Sequence, residues 1–156
     1  FIPEDDDTKI FYKDVDITSS IRNEEIAKVA SELSALSATR KSLIDIQRNF
    51  MPSNNLIADG RDMGTVVFPK AELKIFLIAS AEVRAKRRYL ELQNRGQEVN
   101  MRDLIVDIEQ RDMKDKTRTL SPLIPADDSI IIDSSSMPLD EVLSFTKKLA
   151  KKELNK

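Results

Sequence analysis

The sequence contains three short apolar runs that predict strands of one sheet. They lie at 55–58, 73–79 and 129–133, and they show little of the alternation expected of a strand with one wet face. Runs of this kind are typical of strands buried on both faces of a parallel sheet. We therefore predict three buried strands, with ligands bound at their carboxyl ends.

Helical spacing of apolar positions follows these runs. Residues 82–95 predict a helix that Gly96 terminates, a second helical pattern begins at Met101, and a third begins near Pro138. In the last helix we expect four apolar residues to be buried: Leu139, Val142, Leu143 and Leu149. Strands separated by helices favour an α/β fold built on a parallel sheet.

The N-terminal third has a different pattern. Residues 9–17 mix aromatic, β-branched and charged residues, which predicts a strand or one arm of a hairpin, with the acidic stretch before it as a turn. Residues 21–51 predict two helices or one broken helix that stops at Pro52. We expect Thr18 and Ser19 to provide the cap of the first helix.

Composition narrows the possible chemistry. The 156 residues include no Cys, His or Trp, which excludes disulfides, thiolate and imidazole catalysis, Ser-His-Asp hydrolases and zinc fingers. No apolar run approaches the roughly 20 residues of a membrane span, and residues 1–7 lack the order of a secretory signal. A net charge of −2 argues against a globally basic nucleic-acid binder. Chemistry must therefore use carboxylates, Arg, Lys, hydroxyls or backbone dipoles.

Residues 59–64, Asp-Gly-Arg-Asp-Met-Gly, directly follow the first apolar run. A simple turn would explain the Asp-Gly pair alone. It explains Arg61 and Asp62 less well, because a forked donor beside an acceptor suits recognition of a phosphate and a base amino group. We favour a binding site over a turn.

The helix that begins at Met101 carries an apolar seam that becomes charged without changing face. The charged continuation consists of Arg111, Asp112, Asp115 and Arg118. One interpretation is a helix that runs from the core into a polar cleft. The alternative is a set of surface i,i+4 pairs, each contributing about 0.2–0.5 kcal/mol. Spacing alone leaves both open.

A third cluster of charge lies on the helix predicted over 82–95. Arg84, Arg87 and Arg88 share a face that could hold a polyphosphate. Cationic helix faces are commonly just solvated, so this cluster taken by itself favours a solvated surface.

Several stretches together resemble bacterial cytidylate kinases. The most specific is Leu-Ile-Ala-Asp-Gly-Arg-Asp-Met-Gly-Thr-Val-Val-Phe-Pro at 56–69, and the others are 74–77, 84–88, 111–118 and 121–128. Members of that family are P-loop nucleoside monophosphate kinases that transfer the γ-phosphoryl group of ATP, with Mg²⁺, to CMP or dCMP.

The resemblance implies the P-loop kinase type of α/β fold, a parallel sheet flanked by helices. It places a small inserted α+β subdomain for the monophosphate at 1–51 and the C-terminal part of the kinase core at 52–156. A mobile helical lid is expected over about 82–120. We expect a cytoplasmic monomer whose partners are CMP, dCMP and ATP, with no nucleic-acid polymer and no membrane.

The resemblance also implies roles for individual residues. The cytosine contacts fall on Ser31, Arg40 and Asp62, and the contacts to the phosphate and sugar of CMP fall on Arg61, Arg111, Asp115 and Arg118. The lid arginines that close over ATP correspond to Arg84, Arg87 and Arg88. Asp59 corresponds to an acidic residue near Mg²⁺. The catalytic set comprises Arg61, Arg84, Arg87, Arg88, Arg111 and Arg118.

One family motif does not occur in these residues. A P-loop requires G-x-x-x-x-G-K-[ST], whereas the three glycines here, Gly60, Gly64 and Gly96, are not followed by Lys. We expect the chain to be the C-terminal portion of a longer kinase, with little or no kinase activity by itself.

Two rival hypotheses are a non-catalytic module that binds a nucleotide or an RNA phosphate, and a structural fragment. The aromatic content of 5% leaves few stacking platforms, which counts against recognition of single-stranded RNA.

Overall fold

The computed structural model describes residues 2–4, 7–50 and 55–155. The chain divides into two compact units, 1–47 and 48–156. The domain boundary predicted at 51–52 lies outside the described residues, as does Pro52.

Two antiparallel hairpins begin the first unit. Strand β1 (Ile2–Glu4) pairs with β2 (Asp7–Lys9), and β3 (Phe11–Tyr12) pairs with β4 (Val15–Asp16). The β structure predicted over 9–17 is confirmed, but this range contains both arms of the second hairpin and not the single strand or arm that was predicted. The turn predicted for the acidic stretch before it is wrong at Glu4 and Asp7, which pair with each other across the first hairpin, and residues 5 and 6 lie outside the described residues. Hairpin pairing uses backbone hydrogen bonds and tolerates acidic side chains.

The second hairpin closes through Lys13 and Asp14. Their φ angles are 48° and 65°, as the mirror-image turns of two-residue hairpins require at both central positions. Asp is one of the residues that adopts this conformation most readily.

Two helices follow the hairpins: α1 (Glu24–Ser34) lies in the first unit, and α2 (Ser37–Asn49) begins there and ends with two residues of the second unit. Two separate helices are one of the two arrangements predicted for residues 21–51. The predicted cap is wrong. Asn23 caps α1 by accepting a hydrogen bond from the Ile26 amide at 2.9 Å. Thr18 instead accepts one from the Ile10 amide at 2.8 Å, because the hairpin still occupies this part of the chain.

A parallel pair of strands lies at the centre of the second unit. Strand β5 (Ile75–Ile78) pairs with β6 (Ile130–Asp133), with Ile75 opposite Ile130. Lys74 fixes the entry to this pair, since its ammonium donates to both carboxylate oxygens of Asp128 at 2.8 Å. The parallel strands predicted at 73–79 and 129–133 are thus confirmed, with shorter limits.

The strand predicted at 55–58 is wrong. These residues are irregular, and Ile57 is 98% exposed. A strand needs a backbone partner, and among the described residues none pairs with this segment. Burial of β5 and β6 on both faces is also wrong, because Leu77 and Ile131 are more than half exposed.

Helices α3 (Ala81–Asn94) and α4 (Met101–Thr117) follow β5 and pack against each other. Ser80 caps α3, and Asn100 caps α4 by accepting from the Arg102 amide at 2.8 Å. The end of α3 is closed by a hydrogen bond from the Gln97 amide to the Leu92 carbonyl at 3.0 Å. These helices match the predicted positions.

Helix α5 (Leu139–Leu154) ends the described chain. It begins after Pro138, as predicted, but Leu139 is 80% exposed and Leu143 is also exposed, so their predicted burial is wrong. A residue in the first turn of a helix is covered only when another element packs over that end. Val142 and Leu149 are half-buried.

Among the described residues, no helix is long and apolar enough to cross a membrane. Helices beside a small parallel sheet make the second unit an α/β structure.

Gly96 provides a test of the predicted helix end. Its φ is +74°, and a Cβ added there would meet no atom within 4 Å. The cost of Gly96→Ala is therefore conformational, and we expect it to lower the free energy of unfolding by about 1–2 kcal/mol. Gly96→Asn should cost less, since Asn tolerates this conformation. Urea denaturation of both variants measures the difference, and equal costs would contradict the conformational explanation.

Candidate active site

The carboxylate of Asp115 is the most buried charge in the described part of the chain. Asp115 lies in α4 and is 4% exposed. It accepts hydrogen bonds from the guanidinium of Arg61 and, at 3.4 Å, from Nη1 of Arg118. Arg61 is 54 residues earlier in the sequence, so this interaction joins the 59–64 segment to the end of α4.

A second carboxylate on α4 binds Arg84 of α3. Nη1 and Nη2 of Arg84 donate to the two oxygens of Asp112 at 3.0 and 2.5 Å, the paired geometry that a guanidinium favours. Nε of the same arginine donates to the carbonyl of Ala79 at 3.0 Å. Arg84 therefore ties both helices to the carboxyl end of β5.

The chain folds back on itself after α4. Nε of Arg118, the residue that caps α4, donates to the carbonyl of Ser121 at 2.5 Å. The Leu123 amide donates to the carbonyl of Asp115 at 2.8 Å. These bonds hold the largely buried Arg118 side chain beside Asp115.

The surroundings of Arg61 are strongly positive. Burial lowers the pKa of Arg61 below its ordinary value, and the guanidiniums of Arg111, Arg118 and Arg84 lower it further, while Asp112 acts in the opposite direction. A guanidinium remains protonated despite such a shift. We call Arg61, Arg84, Arg111 and Arg118 the arginine cluster. Four guanidiniums around two carboxylates leave an excess of positive charge that suits a phosphate.

Arg111 differs from the other members of the cluster. Its side chain is exposed, and it donates no hydrogen bond to any residue within the described ranges. It is therefore the member best placed to bind a ligand without first breaking a protein contact.

The two interpretations of this helix face can now be compared. The ion pairs of Asp112 and Asp115 reach Arg84 and Arg61 on other elements, and Asp115 is buried. The alternative of exposed i,i+4 pairs along the helix is wrong. The apolar residues of this face, Leu104, Ile105 and Ile108, are half-buried, and its charged end forms a cluster of ion pairs in which Asp115 is buried.

The two other arginines of α3 that the resemblance assigns to a lid, Arg87 and Arg88, have protein partners. Arg87 donates to the carbonyl of Ser134 at 2.7 Å and to its hydroxyl at 3.3 Å. Arg88 pairs with Glu91 at 2.9 Å, one turn further along α3. The expectation of a merely solvated face is wrong for Arg84 and Arg87, since both bind the ends of the sheet.

Ser134 was not predicted as a site residue. It is buried directly after β6, and its hydroxyl donates to the carbonyl of Ile78 at the end of β5, at 3.1 Å. Its position after a predicted strand was the available signal, because polar residues at parallel strand ends meet at one edge.

Asp62 begins a short π-helical turn, Met63–Val67. Asp62 is 8% exposed and lies next to Arg61 of the arginine cluster. A Cβ added at Gly60 would lie 2.8 Å from Cε of Met63, so the flexible Met63 side chain would have to move to accept one. Asp62 is therefore a buried residue that directly follows a member of the arginine cluster in the sequence.

Asp59, the predicted Mg²⁺ ligand, is exposed. Among the described residues no group of three acidic, His or Cys side chains could hold a metal ion. A single carboxylate still fits Mg²⁺, which commonly takes one or two carboxylates and completes its shell with water and substrate phosphates.

Ser31 and Arg40 belong to the first unit. Ser31 lies in α1 and Arg40 in α2, and both are half-buried. Their assignment to cytosine remains a prediction.

Asp115 provides a test of the buried network. Asp115→Asn removes the charge that two guanidiniums share, so we expect the free energy of unfolding to fall by about 1–3 kcal/mol, the cost of leaving buried donors poorly paired. Asp107→Asn is the matched control, since Asp107 is exposed on the same helix and its change should stay within about 0.5 kcal/mol. Urea denaturation of both variants measures the effects. Equal free energies of unfolding for the two variants would show that Asp115 does not stabilise the fold.

Comparisons with known proteins give the family. A family model described as cytidylate kinase matches residues 3–152. The cytidylate kinase of Pasteurella multocida is 46% identical over 92% of the chain, and that of Shewanella denitrificans is 52% identical over 86%. The cytidylate kinase of Saccharophagus degradans is 47% identical over 97%. The chain spans 63%, 59% and 68% of the lengths of these three relatives, in the same order. With this identity maintained across nearly all of its length, the chain belongs to the cytidylate kinase family.

Proposed function

We propose that this chain, as part of a full-length kinase, serves the transfer of the γ-phosphoryl group of ATP to CMP or dCMP, giving CDP or dCDP. The observation that carries this proposal is the arginine cluster around the carboxylates of Asp112 and Asp115. Family membership supports the nucleotide identity, since the relatives are named cytidylate kinases.

The arginine cluster suits the acceptor phosphate. Phosphoryl transfer needs reactants in line and stabilisation of charge on equatorial oxygens, more than covalent help from the protein. Arg61 and Arg118 already point at a common carboxylate, so they are held in place before a substrate arrives. Because such donors are already oriented, binding an anion requires little reorganisation of the protein.

ATP and Mg²⁺ are the co-substrate and metal ion of the proposed reaction. Mg²⁺ would neutralise charge on the nucleotide phosphates, and Asp59 could supply one ligand to it. Among the arginines that the resemblance assigns to the lid, Arg84 is the one that belongs to the arginine cluster, where it binds the carboxylate of Asp112. A role of Arg84, Arg87 and Arg88 at the transferred group is a proposal that rests on the family resemblance.

Base recognition is the third part of the proposal. A carboxylate accepts a hydrogen bond from the cytosine amino group, whereas uracil presents an acceptor at that position. Asp62 is the covered carboxylate of the 59–64 segment and takes this role. Ser31 and Arg40 complete the proposed set on the strength of the resemblance. We further propose a cytoplasmic monomer that acts on free nucleotides.

Arg111 gives the sharpest test of the phosphate site. Because Arg111 is exposed, Arg111→Ala should change the unfolding free energy by less than about 0.5 kcal/mol. If Arg111 binds the CMP phosphate, the same change should weaken CMP binding by about 1.5–3 kcal/mol. Isothermal calorimetry on the full-length protein measures this. Arg102→Ala, an exposed arginine on the first turn of α4, is the control for lost charge. Equal CMP affinities of the two variants would remove Arg111 from the site.

Asp62 tests base recognition separately. Asp62→Asn replaces an acceptor with a group that can also donate to uracil, so discrimination of CMP from UMP should fall by about 1–3 kcal/mol. Competition binding with both nucleotides gives the ratio. Asp127→Asn, at an exposed position, should leave the ratio unchanged. A similar loss of affinity for both nucleotides would make Asp62 a scaffold residue.

A further inference from the structure

Arg48 contacts the π-helical turn that follows Asp62. Its Nε donates to the carbonyl of Val67 at 3.0 Å, and its Nη2 donates to the carbonyl of Val66 at 3.1 Å. Arg48 is the first residue of the second compact unit, so all three residues lie in one unit. No role was predicted for Arg48 from the sequence.

The turn is defined by hydrogen bonds at its other end. The carbonyl of Asp62 accepts from the amides of Val66 and Val67 at 2.9 and 3.2 Å, and the Phe68 amide donates to Met63 at 2.7 Å. Bonds of this five-residue span are rare in proteins and occur frequently at functional sites.

Arg48 supplies hydrogen-bond donors to the carbonyls at the end of the turn. The last carbonyls of a helical turn have no partner within it, and a cation near them is electrostatically favoured. The guanidinium of Arg48 satisfies two adjacent carbonyls with one planar group. A surface arginine without this geometry would contribute little.

The position of the turn determines the position of Asp62. Asp62 is the residue whose carbonyl starts the turn, and its side chain is covered. Arg61, which belongs to the arginine cluster, precedes it directly. A change in the turn would therefore displace both residues at once.

We propose that Arg48 is a positioning residue, which holds the π-helical turn in the conformation that presents Asp62 and Arg61 to the substrate. This inference rests on the proposed function, because its substrate is CMP. Arg48 acts through the backbone and does not contact the nucleotide.

The experiment compares Arg48→Ala, Arg48→Lys and the control Arg102→Ala in the full-length protein. Hydrogen exchange of the Val67 and Phe68 amides reports the turn, and the ratio of CMP to UMP affinity reports Asp62. In Arg48→Ala we expect exchange at both amides to be at least about 10-fold faster. The affinity ratio should fall about 10-fold, comparable with the loss of other outer positioning contacts.

Arg48→Lys keeps the charge but not the planar fork, so it should recover only part of both effects. Arg102→Ala should change neither. Unaltered exchange in Arg48→Ala would overturn the role of Arg48 in the turn, and faster exchange with an unaltered affinity ratio would make that role purely structural. Absence of CMP binding in the unmodified protein would instead overturn the proposed function, and with it the substrate for which Arg48 positions the turn.

Discussion

A buried carboxylate has to be neutralised, and this constraint on Asp115 organises the second unit. Removing a carboxylate from water costs several kcal/mol unless charged donors replace the lost hydration. Arg61 and Arg118 provide those donors, from a segment 54 residues away and from the end of the same helix. The position of the 59–64 segment and the fold-back after α4 both follow from this requirement.

The same positive groups link the helices to the sheet. Arg84 and Arg87 on α3 reach the carbonyls that follow β5 and β6, at Ala79 and Ser134. Parallel strands end at one edge, and this is where α/β proteins bind ligands. Charges that stabilise this edge are therefore the charges that a phosphate would meet.

Local signals in the sequence predicted much of this fold. Gly96 ends α3 at the predicted point, and the apolar runs of β5 and β6 form parallel strands, because glycine conformation and apolar runs act over a few residues. Burial depends on what packs against an element, and local patterns do not contain this information. Ile57 and Leu139 lie in apolar patterns that predicted burial, but both are exposed. In the site, spacing placed Arg111, Asp112, Asp115 and Arg118 on one face. It could not show that Asp115 is buried under Arg61, because that pairing spans distant segments. The role of Arg48 could not be predicted from the sequence, since its partners are backbone carbonyls, which every residue has.

The arginine cluster has a further property that follows from its composition. Guanidiniums stay charged even where burial and neighbouring positive charges lower the pKa, as at Arg61. These 156 residues include neither His nor Cys, the side chains that most often change charge near neutrality. The charge of the cluster is therefore constant between about pH 6 and 8. A phosphate monoester loses its second proton near pH 6, so a bound phosphate would change its charge in this range while the four guanidiniums would not.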